Sequence, residues 1–420
     1  MGFPYNFAIW LYALVVRIIS PFHRKARLMI KGHKEVYRKL KEEVDPNAKY
    51  IWIHAASLGE FEQGRPIIER IKKDYPQYKI LLSFFSPSGY EVQKNYELAD
   101  IVCYMPFDKK RNVKRFLNAF TPGVAIFIKY EFWYNFISNL YKRDVPVYMV
   151  SAIFRPDQMF FKWYGKSLRK IFKFYKCICV QDENSRNLLK GIGVTNTVVC
   201  GDTRFDRVLQ IKSEAKHLPL VEAFVSKVQG NNVKTLIAGS SWPKDEDIFI
   251  PYFNSSNIKL IIAPHEIHES HLAYIESTVK RPAIRYSQAT ESNVKYHDCL
   301  IIDSFGLLSS IYGYGDIAYI GGGFGVGIHN IVEAAVYGIP VIFGPNFKKF
   351  REAHQLIESG GGYPIHDYDA FRSLMDEFLQ HDDVLSDAGH KAGQYVQSNA
   401  GVADRIMIVL KPELDKQLKA

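Results

Sequence analysis

The chain is expected to fold as α/β, with two doubly wound domains, each carrying a parallel sheet. Three observations predict this. Short, uninterrupted apolar runs suit strands buried on both faces. Helical patterns separate these runs. The series also occurs twice, closing near Gly201 and reopening near Lys234, and 420 residues suit two domains of ordinary size.

The first series reads IWIHAA, KILLSFFS, IVCYMP, VAIFIKY, PVYMVSA, CICVQD and TVVCG, with helical patterns such as NVKRFLNAF and SRNLLKGIG between. The second reads TLIAGSS, KLIIAPH, AIRYSQ, CLIIDS, IAYIGGG and PVIFGP. Residues 202–232 read as the connection. The expected boundaries are an apolar helix at 1–22, a first domain at 23–205, a second at 206–395, and a C-terminal helix at 396–420 crossing back to the first domain. Doubly wound sheets bind ligands beyond the carboxyl ends of their strands, so the active site is expected in the cleft between the domains.

Composition narrows the function. Hydrophobic residues make up 47% and aromatic residues 14%, enough for two cores and too apolar for a disordered chain. The net charge of +10 calls for an anionic partner: nucleic acid, phospholipid or a phosphorylated substrate. No helix-turn-helix or zinc-finger spacing is present, so nucleic acid is not the default. Five cysteines (103, 177, 179, 200, 299) fit no metal or redox spacing and read as reduced thiols.

FAIWLYALVVRIISPF, residues 7–22, is strongly apolar but shorter than a membrane span and broken by Arg17. Arg24, Lys25, Arg27, Lys31 and Lys34 follow it. Basic residues after the apolar run argue against a secretory signal and for an anchor on an anionic membrane surface. A buried first helix is the alternative. FKWYGKSLRKIFKFYK, residues 161–176, interleaves bases with aromatics. It suits either a membrane-surface helix or a partly exposed domain helix.

Chemistry concentrates at strand ends. IGGGFGVGIHNIVEAAVYGIPVIFGP, residues 320–345, runs from a strand through a glycine-rich turn into a helix. Gly322, Gly323 and Gly325 would let a phosphate approach the backbone, and the helix start near Asn330 would face it. Glu333, one turn in, is placed to accept the hydroxyls of a ribose. Ser240 and Ser241 in AGSSWPKDED offer further donors, or else simply cap a helix. His265, His268 and His271 in APHEIHESH form no HExxH, so a single role for His265 near a nucleotide is favoured over a metal. Glu60 in HAASLGEFEQGRP stands at a strand-to-helix turn. It reads equally as a general base for an acceptor alcohol and as a first-turn acid facing the helix dipole.

HAASLGEFEQGRP, FIKYEFWYNF, SAIFR, GDTRFD, AGSS, APHE and GGGFGVGIHNIVEAAVYGIPVIFGP occur in that order. Together they resemble the 3-deoxy-D-manno-octulosonic acid (Kdo) transferases of lipopolysaccharide assembly, over nearly the whole chain. The resemblance implies a GT-B glycosyltransferase at the cytoplasmic face of the inner membrane of Gram-negative bacteria. It implies inverting, metal-independent transfer of Kdo from CMP-Kdo to the 6′-hydroxyl of a lipid A precursor of the lipid IVA type, with no cofactor. Glu60 then matches the general base. Ser57, Gly59, Lys129, Glu131 and Arg155 fall on the acceptor or Kdo side. Ser240, Ser241, His265, Gly322, Gly323, Gly325, Asn330 and Glu333 fall on the CMP side.

Two departures stand out. The family often has Glu-x-Glu-x-Trp-Pro where this chain has Lys129, Glu131, Trp133 and Tyr134. It often has Pro-Arg-His where this chain has Ala263-Pro264-His265, so Arg204 or Lys348 would have to balance the anionic donor. The competing readings are another nucleotide-sugar enzyme of this fold, such as a UDP-sugar transferase or epimerase, and a non-catalytic glycolipid-binding membrane module.

Overall fold

The computed structural model describes residues 2–226 and 233–419. The end of the expected connection, 227–232, lies outside them. Two compact units are present: residues 1–207 with 401–420, and residues 208–400.

The first unit holds β1 (Tyr50–Ala55), β2 (Lys79–Phe84), β3 (Ile101–Tyr104), β4 (Val124–Ile128), β5 (Val147–Ala152), β6 (Cys177–Val180) and β7 (Thr197–Val199). All pair in parallel, in the order β3-β2-β1-β4-β5-β6-β7. Trp52 on β1 is fully buried against Phe116, Phe127 and Phe136, which explains the absence of polar alternation in these strands. On the other face the helix Leu58–Asp74 buries Phe61, Ile67, Ile68 and Ile71, an i, i+3, i+4 stripe.

The helix Val402–Lys419 belongs to this unit, and its Ile406, Leu410 and Leu414 enter the same core as Ile68. Its first backbone N–H groups are capped by a distant residue. The Asp206 carboxylate accepts from Gly401, Val402 and Ala403.

The second unit repeats the plan with β8 (Thr235–Ser241), β9 (Lys259–Pro264), β10 (Ala283–Arg285), β11 (Cys299–Ile301), β12 (Ile317–Ile320), β13 (Val341–Phe343) and β14 (Gly362–Pro364). Its order is β10-β11-β9-β8-β12-β13-β14, again parallel. The strand order reverses at β1/β4 and at β8/β12. Connections leave there on opposite faces and open a crevice at the strand ends.

Two readings change, and a third is sharpened. β14 is a seventh strand in the second sheet; its three residues, Gly-Tyr-Pro, carry no strand signal, and a proline is tolerated because the strand lies at the edge. Residues 161–176 are not one helix. They form short 3₁₀ turns, Trp163–Gly165 and Leu168–Phe174, after Met159–Phe161. Gly165 packs so closely on the Met159 carbonyl that a Cβ would stand 1.7 Å from that oxygen. The apolar N-terminus is the helix Gly2–Ile19, followed at a sharp bend by Arg24–Glu43; the two axes differ by 117°. Among the described residues no single helix is long and apolar enough to cross a membrane.

The Asp206 cap is open to test. Asp206→Ala strips three N–H groups of their acceptor and should cost about 1–2 kcal/mol in urea unfolding, with Asp206→Asn recovering most of it. No change would mean that water replaces the cap.

Candidate active site

The first crevice lies where β1 and β4 end. Ser57 caps the helix Leu58–Asp74 in extended conformation, but its hydroxyl donates to the Glu60 carboxylate rather than to the backbone. Glu60 is thus held half-exposed in the first turn. Gly59 is open, with only Ser57 Oγ near an added Cβ, at 3.9 Å, so nothing crowds the approach to Glu60. Glu62, one step on, is an ion-pair residue: its carboxylate accepts from Arg207 Nε at 2.7 Å.

β4 delivers Lys129 and Glu131. Lys129 takes a left-handed backbone (φ 70°) while its N–H donates to Val150 O, so the chain turns sharply as it leaves the sheet. Glu131 is buried. Its carboxylate accepts from Trp133 Nε1 and lies 3.2 Å from His54 Nε2 on β1. His54 is itself fully buried, with Nδ1 2.8 Å from Ser83 Oγ, and Ser83 accepts from Trp52 Nε1 at 2.7 Å. Trp52 can only donate, so the Ser83 proton is free for His54 Nδ1; His54 Nε2 stands close to the Glu131 carboxylate but makes no hydrogen bond to it. A polar chain therefore runs from the core to the crevice. Arg155 is exposed beyond β5. Burial pushes the Tyr130 hydroxyl up, while Arg155 and Arg204 pull it back. Arg204 is engaged with Asp202 through Nε and Nη2 at 2.9 and 2.7 Å.

The second crevice lies where β8 and β12 end. Asp245, buried in the first turn of the helix Pro243–Ser255, organises it. Its carboxylate accepts from Gly322 N at 2.8 Å, Trp242 N at 3.0 Å and Tyr319 OH at 3.0 Å. The glycine loop is therefore a hydrogen-bonded turn. Gly325 N and Gly327 N both donate to Gly322 O, and His329 N donates to Gly321 O. The glycines answer to packing more than to a phosphate. A Cβ on Gly321 would meet Ser240 O at 2.2 Å, one on Gly323 would meet Gly344 at 2.5 Å, and Gly322 sits at φ 90°. Of the three candidate glycines Gly325 is the least crowded, an added Cβ meeting only Gly322 O, at 4.0 Å. The helix after the loop is a single turn, Val332–Ala335, too short to contribute much of a dipole.

Asn330 and Glu333 come together: Asn330 Nδ2 donates to Glu333 Oε1 at 2.8 Å. That bond fixes the amide orientation and leaves Asn330 Oδ1 buried and unpartnered, an acceptor for an incoming N–H or O–H. Ser240 has a left-handed backbone (φ 53°). Ser241 is buried, and its hydroxyl donates to Glu246, which also holds His271 Nε2 at 2.9 Å; it is not exposed to a ligand. His265 stacks between Trp242 (centroids 4.7 Å) and His329 (4.4 Å), with Trp242 Nε1 donating to His329 Nε2. Burial, reinforced by His265, holds His329 below its ordinary pKa. Lys348 is exposed on the loop after β13. Among the described residues no three His, Cys, Asp or Glu side chains gather as a metal site.

The reading of the sequence missed His54, Ser83, Trp242, Asp245 and His329. A histidine inside IWIHAA was a signal, because a polar residue in a doubly buried strand needs a partner. Asp245 carried none, since a first-turn acid is ordinary. Asp245→Ala should cost about 2–4 kcal/mol in chemical unfolding, because it orphans three donors, whereas Ser241→Ala should cost about 1 kcal/mol. Equal, small losses would deny Asp245 its organising role.

A model of the family described as 3-deoxy-D-manno-octulosonic-acid transferase matches residues 29–207. The chain is 27% identical to the 3-deoxy-D-manno-octulosonic acid transferase of Aquifex aeolicus, covering 78% of this chain and 86% of that one. It is 25% identical to the Rickettsia bellii enzyme, covering 90% and 92%, and 24% identical to that of Haemophilus influenzae, covering 89% of each. In fold it resembles the UDP-GlcNAc 2-epimerase of Neisseria meningitidis bound to UDP-GlcNAc (TM-score 0.62, 14% identity, 87% of this chain and 100% of that one). It also resembles MurG of Acinetobacter baumannii (TM-score 0.53, 10% identity, 87% and 99%). With both sheets and the ordered motifs in place, the chain is similar to the Kdo transferases over most of its length and has the two-domain GT-B fold.

Proposed function

We propose that this protein transfers Kdo from CMP-Kdo to the 6′-hydroxyl of a lipid A precursor of the lipid IVA type, releasing CMP with inversion and without a metal. The observation that carries the reading is Glu60: half-exposed, uncrowded at Gly59, and held by Ser57 at the strand end where the first sheet reverses. Glu60 takes the proton of the acceptor hydroxyl as that oxygen forms the bond to the Kdo anomeric carbon. The bond from that carbon to the phosphate oxygen breaks, and CMP leaves with the electron pair. The acceptor hydroxyl replaces Ser57 as the partner of Glu60. Glu131 is a positioning group, held by Trp133 and packed beside His54. On the donor side, Glu333 and Asn330 take the ribose and base edge, Gly325 leaves room for the phosphate, and His265 with its stacked neighbours lines the nucleotide.

The same reading places the protein on the anionic inner-membrane surface at its cytoplasmic face. The helix Gly2–Ile19 exposes Phe7, Trp10, Leu11, Val15 and Ile18. The 159–174 turns expose Met159, Trp163 and Tyr164. The two patches adjoin through Tyr5, Tyr134 and Phe174, whose rings follow one another at 5.8 and 5.9 Å. Exposed apolar surface of this extent, flanked by lysines and arginines, suits an interfacial protein.

Glu60→Gln should lower kcat by about 10³-fold while CMP affinity, measured by titration calorimetry, stays within about twofold. Turnover near that of the parent removes Glu60 as base. Mass spectrometry of products from CMP-Kdo and lipid IVA, with UDP-GlcNAc in parallel, separates Kdo transfer from UDP-sugar chemistry. Ile18→Asp with Trp163→Asp should cut co-sedimentation with anionic vesicles by about tenfold or more; unchanged binding excludes these patches from the membrane contact.

A further inference from the structure

Between the helices Gly2–Ile19 and Arg24–Glu43 and the chain after β3 lies a cavity of about 350 Å³. It belongs to neither strand-end crevice. Four cations line it: Arg17, Lys34, Lys109 and Arg115. No Asp or Glu lines it, and among the described residues none of the four forms a salt bridge. Lys109 is held below its ordinary pKa by burial and by the like charge of Arg17, so the cluster lacks a counter-charge.

His33 adds an independent observation. It is buried to 8% exposure and lines the cavity, yet neither Nδ1 nor Nε2 has a partner. Its ring is gripped by Phe107 (4.5 Å), Phe85 and Tyr104, so it cannot turn out to water. Tyr37 OH, also unpartnered, lies in the same wall under the Arg115 guanidinium, 3.9 Å from the ring centre. Arg17, Lys34 and Arg115 are exposed and Lys109 half-buried, so the cost in the empty protein falls on the orphaned His33 and Tyr37 atoms, and one phosphate at the cavity mouth would meet both these and the cations. The remaining wall is apolar. Trp10 and Leu14 line the cavity and also face outward on the exposed side of their helix, a path for an acyl chain.

We infer that this cavity binds the phosphate of an anionic glycerophospholipid, with the chains lying along Trp10 and Leu14. Phospholipid is favoured over the sugar acceptor because the Phe85 ring forms a partition. It packs on Trp133, the partner of Glu131, at 4.6 Å, and on His33 and Phe107 at 5.8 and 6.0 Å. The cavity and the first crevice thus stand on opposite sides of one aromatic layer. The inference rests on the membrane-surface reading above, and adds a discrete lipid site to it.

The probe is dihexanoyl phosphatidylglycerol below its micelle concentration, titrated into the full-length protein by calorimetry, with native mass spectrometry for stoichiometry. One molecule should bind. Dihexanoyl phosphatidylcholine, with the same chains and no net charge, should bind at least tenfold more weakly, and inorganic phosphate weaker still. Lys109→Gln with Arg115→Gln should weaken phosphatidylglycerol by about thirtyfold. His33→Phe keeps the aromatic packing and removes the N–H, and should weaken it severalfold. Turnover in detergent without phospholipid should be unchanged in the Lys109/Arg115 variant. Equal affinity for the two lipids, or unaltered binding in the charge variant, overturns the site. Displacement of phosphatidylglycerol by lipid IVA, one for one, also overturns it and gives the cavity to the acceptor. Because the probe is soluble, loss of this site leaves the Ile18/Trp163 vesicle result standing, and the reverse also holds.

Discussion

A buried carboxylate holds the chain at the point where each sheet reverses its strand order. Such a point gives a crevice because no single helix covers both strand ends, and for the same reason the turns there lack ordinary hydrogen-bond partners. In the second unit Asp245 takes two backbone N–H groups and a tyrosine hydroxyl. In the first, Glu131 accepts from Trp133 in the turn after β4 and lies 3.2 Å from His54 Nε2 on β1. Taking a carboxylate out of water costs several kcal/mol, and charge-assisted bonds must offset that. Burial does push the Asp245 carboxyl up, against the pull of its donors.

Placing the strain in backbone and buried acids leaves the candidate site groups less constrained. Among the described residues the Glu60 carboxylate accepts from Ser57, and Asn330 Oδ1 has no hydrogen-bond partner. Lys129 and Ser240 both carry left-handed backbones at strand ends, one in each unit. Both are non-glycine residues at positive φ, a conformation that persists only where surrounding bonds over-determine it. The N-terminal helix shows the opposite economy. It is fastened at a few points, among them Tyr5 OH on Asp108 at 2.5 Å and Ala13 against Met29 and Phe107, and leaves most of its apolar surface outside.

The strands were legible because a parallel sheet covered on both faces demands runs such as KILLSF and VAIFI, which few other structures require. β14 was not legible, because an edge strand of three residues needs only a neighbour to pair with. The aromatic-basic run 161–176 misled for a related reason. Its composition suits a helix, but the buried Phe160 and Phe172 are set by contacts with Phe132, Phe154 and each other rather than by a 3.6-residue period. The glycine loop was recognised correctly as a special turn, yet its amides were expected to face a phosphate, and several instead bond Asp245 and one another.

By itself, the sequence determined the two parallel sheets, the segments that carry Glu60, Glu131, Ser240 and Glu333, and the resemblance to the Kdo transferases. Each of these follows from local periodicity or from an ordered set of short motifs. Only the tertiary structure decided that Ser241 turns inward to Glu246, that His54 and Ser83 stand behind Glu131, and that Arg17, Lys34, Lys109 and Arg115 surround an orphaned His33. Those relations join residues from 5 to 98 positions apart in the chain. A side chain's partner is chosen by which strands pair and which helices pack, and that choice leaves no periodic trace in the residues themselves.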